Sequence, residues 1–167
     1  MAEKEQIFSS KLRYVGFFDY SGFYKFCYMW LNEEKGFDLA ETAYKEKIKG
    51  DSKEVEIEWK GNSKVTDYFK FEIKVEFRIL GLTDVELVKD GQKLKTNKGD
   101  VEIKLKGTLV RDYDGKFEKS SSQKFMRSIY EKWIIPARIN EYEEKLIGTC
   151  DEFLSQAKAY LDLTGKR

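Results

Sequence analysis

The period of the hydrophobic pattern changes along the chain, and each period predicts a different kind of element. Alternation over Leu12–Phe18 predicts a short first strand. Apolar residues at helical spacing then predict a helix over Ser21–Lys35, with Ser21 as its cap. Alternation returns from Asp38 to Phe117, and steps of three and four return after Ser120. The order of predicted elements is therefore strand, helix, sheet and helices.

The middle of the chain predicts an antiparallel sheet. In its strongest stripe, Phe69–Ile79, apolar side chains alternate with Lys, Glu and Arg. Such alternation is typical of an antiparallel sheet with one packed and one solvated face. We expect turns at Gly50-Asp51, at Gly61-Asn62-Ser63 and at the hairpin signal Asp90-Gly91. The other alternating positions are Ala40, Thr42, Tyr44, Val55, Ile57, Trp59, Val85, Val88, Leu94, Val101, Ile103, Leu105 and Leu109.

The last third of the chain predicts two helices. Ser120–Gln123 fits a capping box, and Pro136 predicts a break because proline disfavours helical geometry before it. The first helix carries the apolar stripe Phe125, Met126, Ile129, Tyr130 and Trp133. The second carries an apolar seam that can pack on the sheet or on a second copy of the chain: Ile139, Tyr142, Leu146, Cys150, Phe153, Ala157 and Tyr160.

Together these elements predict one α+β domain over residues 1–167. Its single antiparallel sheet of five to seven strands is covered on one face by the N-terminal helix and by a C-terminal helix that is broken at Pro136. We expect residues 1–6 to be disordered, 7–117 to form the first strand, the helix and the sheet, and 120–163 to form the C-terminal helices. A length of 167 residues suits a single domain.

The order of elements over residues 7–163 resembles the helix-grip family, which includes START domains and birch-pollen-allergen-like proteins. In that family a curved sheet wraps the C-terminal helix around an apolar cavity, so the resemblance implies a carrier of an apolar small molecule. The chain departs from the family in having one long helix after the first strand and a break at Pro136. No motif transfers ligand residues to this sequence.

Composition narrows the possible functions. The net charge of +1 gives no overall field toward polyanions, so specific nucleic acid is not an expected partner. The absence of histidine removes the commonest general base and the commonest metal ligand. No secretory signal or transmembrane segment is evident, which predicts a cytoplasmic protein with reduced thiols.

Each candidate for chemistry has a simpler structural interpretation. Without histidine to lower their pKa, Cys27 and Cys150 are predicted to be structural thiols rather than nucleophiles or a redox pair. Asp112–Glu118 lacks the full ligand set of a calcium loop and predicts a plain turn. Two lysine clusters are interpreted as solvated loops: Lys45, Lys47, Lys49 and Lys53, and Lys89, Lys93, Lys95 and Lys98. We therefore predict no catalytic, metal or cofactor residue.

The aromatic N-terminal helix is the most informative feature for function. Ordinary core is the favoured interpretation, with a pocket wall or a protein-facing patch as alternatives. We hypothesise a non-catalytic assembly module that forms a homo-oligomer or binds another protein. The alternative is an apolar-ligand carrier, followed by an enzyme of unknown reaction and by a lysine-mediated binder of nucleic acid or membrane surfaces. The predicted ligand or partner surface is Phe23, Tyr24, Cys27, Trp30, Leu146, Phe153 and Tyr160.

Overall fold

A five-stranded sheet with helices on one face organises the protein. The computed structural model describes residues 3–111, 113, 121–129, 132 and 136–165. The elements are β1 (Glu3–Phe18), α1 (Tyr20–Met29), a π-helical turn (Trp30–Glu34), β2 (Asp38–Lys49), β3 (Ser52–Lys64), β4 (Phe69–Lys89), β5 (Gln92–Arg111), α2 (Ser121–Ile129) and α3 (Pro136–Gly165).

The sheet is open and antiparallel, with the strand order β1-β5-β4-β3-β2. The first strand therefore pairs with the last, from Glu3 opposite Arg111 to Phe18 opposite Asn97. This leaves β1 and β2 as the two edges. The predicted α+β fold with one antiparallel sheet is confirmed.

The two faces of the sheet differ as the alternation predicts. The apolar side chains of Phe69–Ile79 point to one face and are buried. The other face carries charged side chains in cross-strand ion pairs, such as Lys74 Nζ at 3.7 Å from Glu58 and 3.1 Å from Glu76. Exposed pairs of this kind contribute at most about 1 kcal/mol each. The apolar face therefore holds the core.

Helices α1 and α3 lie side by side on the apolar face, which confirms the predicted cover. Phe23 of α1 contacts the Phe77 ring of β4 at a centroid distance of 6.2 Å, and α3 packs against β1 and β5. Helix α3 approaches β5 closely at Gly107, where an added Cβ would lie 3.0 Å from the Cys150 sulfur. Glycine at this position therefore allows the seam of α3 to pack closely where it crosses the sheet.

The N-terminal predictions need three corrections. Strand β1 is 16 residues long rather than short, and Glu3–Gln6, expected to be disordered, form its first part. Pairing with β5 and the Arg111 side chain, 3.5 Å from Glu5, hold this segment. The helix begins at Tyr20 rather than after Ser21, because its first backbone hydrogen bond joins the Phe23 amide to the Asp19 carbonyl.

The sheet also corrects two predicted boundaries. The turn predicted at Gly61-Asn62-Ser63 is instead part of β3, where Gly61 leaves room for the Leu39 side chain of β2, which would have to move away from an added Cβ at 2.6 Å. The predicted short strands at Val85–Val88 and around Leu94 are the far ends of the long strands β4 and β5. The hairpin at Asp90-Gly91 is confirmed, with positive φ angles of 53° and 76°.

The C-terminal seam packs on the sheet. Helix α3 begins at Pro136, as a proline at the first helical position allows. Its buried seam residues are Tyr142, Leu146, Cys150, Phe153 and Ala157. Several predictions lie outside the described residues: the calcium-loop interpretation of Asp112–Glu118 apart from Tyr113, the capping role of Ser120, and the stripe positions Tyr130 and Trp133.

Candidate binding surface at the β2 edge

The predicted surface residues come together, but inside the protein. Phe23 lies 5.9 Å from Tyr160 and Trp30 lies 5.6 Å from Phe153, measured between ring centroids. Only Tyr24 and Tyr160 remain half-buried, whereas the other five are buried: Phe23, Cys27, Trp30, Leu146 and Phe153. In the described structure these five side chains form core and are not presented to a partner.

Aromatic rings fill the space between α1 and the sheet. Trp59 is fully buried, and its ring lies 4.8 Å from Phe77 and 5.2 Å from Tyr24. This interdigitation is typical of a packed core. The hypothesis that the protein carries an apolar small molecule stays a prediction.

The two cysteines lie within this core. Cys27 is fully buried and Cys150 is nearly so. Burial raises the pKa of both thiols, and with a smaller contribution from Asp151 it raises the pKa of Cys150 to about 12. Both thiols are free and protonated at neutral pH, which suits a structural role.

The exposed side of α1 faces the edge strand β2 through a row of tyrosines. Tyr20, Tyr24 and Tyr28 follow one another at steps of four along α1. The Tyr24 hydroxyl donates a hydrogen bond to Glu41 of β2 at 2.8 Å, and the Trp59 indole N–H donates to the same carboxylate oxygen at 3.3 Å. Glu41 thus joins α1, β2 and β3.

A second group of hydrogen bonds lies further along β2. The hydroxyls of Tyr20 and Tyr44 are 2.9 Å apart, and Tyr44 donates to Glu46 at 2.8 Å. Lys53 of β3 approaches the same Glu46 oxygen at 3.4 Å. The tyrosine row of α1 is therefore linked to β2 at two places.

Burial and these hydrogen bonds keep the hydroxyls protonated. Desolvation and then the Glu41 hydrogen bond raise the pKa of Tyr24 to about 12, and similar causes raise the pKa of Tyr44. The hydrogen bond from Tyr44 lowers the pKa of Glu46. Protonated hydroxyls beside ionised carboxylates suit binding by hydrogen bonds rather than nucleophilic attack, which needs a lowered pKa.

Sequence analysis identified the tyrosine row but missed its carboxylate partners. A β-bulge between Glu41 and Ala43 shifts the alternation of β2. It places Glu41, Tyr44 and Glu46 opposite the buried positions Trp59, Ile57 and Val55, whereas Ala40 faces the other way, opposite Lys60. The predicted alternation, which places Ala40, Thr42 and Tyr44 on one face of the strand, is therefore wrong. Thr42, next to the bulge, gives no sequence signal for it.

Strand β2 itself is an accessible edge. Of its twelve residues only Leu39 is buried. Tyr44 is 45% exposed and Ile48 is 78% exposed, both on the side that faces α1. A long edge strand offers unpaired backbone groups to another strand. Tyrosine hydroxyls, exposed apolar groups and an open strand edge therefore meet at one surface, which we call the β2 surface: Tyr20, Tyr24, Glu41, Tyr44, Glu46 and Ile48.

The predicted lysine clusters occupy hairpins. On β2 and β3, Lys49 lies 3.6 Å from Glu54 and Lys53 pairs with Glu46, so each of these lysines lies beside a carboxylate. Among the described residues, no group of three or more Cys, Asp and Glu side chains is placed to hold a metal ion.

Comparisons with protein-family models, curated proteins and solved structures gave no match for this chain. Within the described part of the chain, no helix is both long enough and apolar enough to cross a bilayer.

Proposed function

We propose that this protein is a non-catalytic assembly module that joins two copies through the edge strand β2. Pairing β2 of one copy antiparallel to β2 of another extends the sheet to ten strands about a twofold axis. Such a contact is self-complementary, as a twofold interface must be. The observation that carries the proposal is the open, twelve-residue edge of β2 beside a tyrosine-rich surface.

The charges of β2 suit antiparallel self-pairing. Its first half, Asp38–Ala43, carries two acidic residues and no basic one. Its second half, Tyr44–Lys49, carries three lysines and one glutamate. Antiparallel pairing brings the acidic half of each copy opposite the basic half of the other, which favours this partner and this orientation.

The apolar groups of the β2 surface support the same contact. Tyr44 and Ile48 share the α1 side of the strand. A twofold axis between the two halves of β2 brings Tyr44 of one copy close to Tyr44 of the other, and it brings Ile48 of one copy opposite Leu39 of the other. Tyrosine is enriched at the centres of protein interfaces because its ring buries area while its hydroxyl keeps a partner. The opposite edge, β1, has Val15 as its exposed large apolar residue.

Light scattering on the full chain tests the proposal. We expect the wild type to have twice the monomer mass of 19.7 kDa, with a dissociation constant that rises with salt. Lys45→Glu with Lys47→Glu makes both halves of β2 acidic and should raise that constant at least about tenfold. The matched control is Lys93→Glu with Lys95→Glu, which makes the same charge change on exposed positions of β5.

Hydrogen exchange supplies a second measurement that needs no variant. On concentration into the dimer, amides of Asp38–Lys49 should exchange more slowly, while those of the β1 edge should not change. A wild type that stays monomeric contradicts the proposal. So does an oligomer that the β2 variant leaves intact while circular dichroism shows the variant folded.

A further inference from the structure

Helix α2 presents its apolar side to the surroundings rather than to the core. Phe125 is 66% exposed, Met126 is 60% exposed and Ile129 is 40% exposed. Ile129 lies four positions after Phe125 and three after Met126, so the three side chains share one face of the helix. Isolated exposed apolar residues are ordinary, but three adjoining ones on a nine-residue helix form a contact surface.

The same helix lies in a basic segment of the chain. Helix α2 contains Lys124 and Arg127 and has no acidic residue. Across residues 116–138 there are six basic and two acidic residues, a net charge of +4, while the rest of the chain has a net charge of −3. The exposed apolar face of α2 therefore lies within a segment of net positive charge.

We infer that α2 docks on an anionic lipid surface, with Phe125, Met126 and Ile129 entering the interface and the basic residues contacting headgroups. A basic amphipathic helix binds in this way because apolar burial and headgroup attraction add. A second copy is disfavoured as the occupant, since two α2 helices face to face would bring like charges together. Nucleic acid would satisfy the charges, but it offers no apolar layer for Met126 and Ile129.

Vesicle co-sedimentation with the full chain tests this inference. We expect the wild type to bind phosphatidylcholine vesicles that contain phosphatidylserine, and to bind pure phosphatidylcholine at least about tenfold more weakly. Phe125→Ser with Met126→Ser should weaken binding to the anionic vesicles at least about tenfold. Lys124→Glu should weaken it about tenfold and reduce its dependence on salt.

Two control variants make matched changes away from α2. Met29→Ser removes another exposed methionine. Lys106→Glu reverses the charge at another exposed lysine, on the charged face of the sheet. Both should retain wild-type binding to the vesicles. Circular dichroism establishes that each variant is folded, and the substituted positions are exposed, so loss of binding then reflects the surface.

Several outcomes would overturn the inference. These are a wild type that binds neither vesicle, α2 variants that bind as well as the wild type, or control variants that lose binding equally. If the wild type does not bind vesicles and an α2 variant dissociates an oligomer, α2 is instead a contact between copies of the chain. If the wild type binds duplex DNA but not vesicles, α2 instead binds a polyanion. The β2 variants leave α2 unchanged, so a monomeric β2 variant should still bind anionic vesicles through α2, and the two proposals fail separately.

Discussion

At the scale of single residues, Glu41 connects the helical and sheet sides of the β2 surface. One of its carboxylate oxygens accepts hydrogen bonds from Tyr24 and from Trp59, which is otherwise enclosed by aromatic rings. The indole N–H of a fully buried tryptophan needs such an acceptor, because an unsatisfied buried donor costs about 1–3 kcal/mol. Glu41 therefore stabilises the core and shapes the exposed surface at once.

The raised pKa of Tyr24 predicts a loss of stability at high pH. A tyrosine has an ordinary pKa of about 10 when the chain is unfolded, whereas Tyr24 has a pKa of about 12 in the folded protein. Its contribution is therefore complete below about pH 10 and is lost as the pH rises toward 12. In urea unfolding across this interval, Tyr24→Phe should lose less stability than the wild type. Parallel curves for the two proteins would contradict this assignment.

The buried thiols predict slow reaction with external reagents. At pH 8 both Cys27 and Cys150 are protonated and enclosed, so neither should react with a thiol-specific disulfide reagent in the folded protein. In guanidinium both should react within the mixing time, because unfolding exposes them and restores an ordinary pKa. Reaction of one thiol in the folded protein would show that it is accessible and not purely structural.

At the scale of elements, β4 determines the stability of the sheet because it lies at its centre. Phe71 is buried and pairs across to Ser63 of β3 and Leu109 of β5. Its ring therefore contributes to the core within the strongest apolar stripe. The neighbouring outer face of the sheet is exposed and charged, so the two faces should respond very differently to truncation.

Truncating one residue on each face measures this difference. Phe71→Ala should lower the free energy of unfolding by about 3–5 kcal/mol, because it removes a large buried side chain and leaves a cavity. Lys106→Ala on the exposed face of β5 should change it by less than about 0.5 kcal/mol. Denaturant unfolding followed by tryptophan fluorescence compares them, and equal effects would reverse our assignment of the faces.

Sequence patterns correctly predicted the elements that bury one side along their whole length. They failed where the local structure depends on a neighbouring strand. The alternation of Phe69–Ile79 and the seam of α3 are correct because each has one consistently buried side. The polar start of β1 showed no alternation, since pairing with β5 rather than burial holds it. Gly61 looked like a turn residue, whereas it accommodates Leu39 of the adjacent strand. The bulge in β2 likewise depends on its pairing with β3.

At the scale of the whole molecule, the two proposed contacts lie on different parts of the chain and rest on different forces. The β2 surface combines an open strand edge with tyrosines, on a strand that has an acidic and a basic half, while α2 combines exposed apolar groups with uniform positive charge. A dimer formed through β2 carries two copies of α2. If both α2 helices reach the same vesicle, linkage through the dimer strengthens binding beyond that of either helix alone.

The pairing of the first strand with the last has a consequence for folding during synthesis of the chain. The partner of each β1 residue is synthesised roughly 80–110 residues later. At a translation rate of ~5–20 residues/s this is a delay of roughly 4–20 s. Until then β1 has no β5 to pair with. Charged and polar residues predominate in its first half, Glu3–Lys11, and such residues disfavour aggregation of an unpaired strand. We therefore expect polar residues that add little to the finished core to protect the nascent chain from premature pairing.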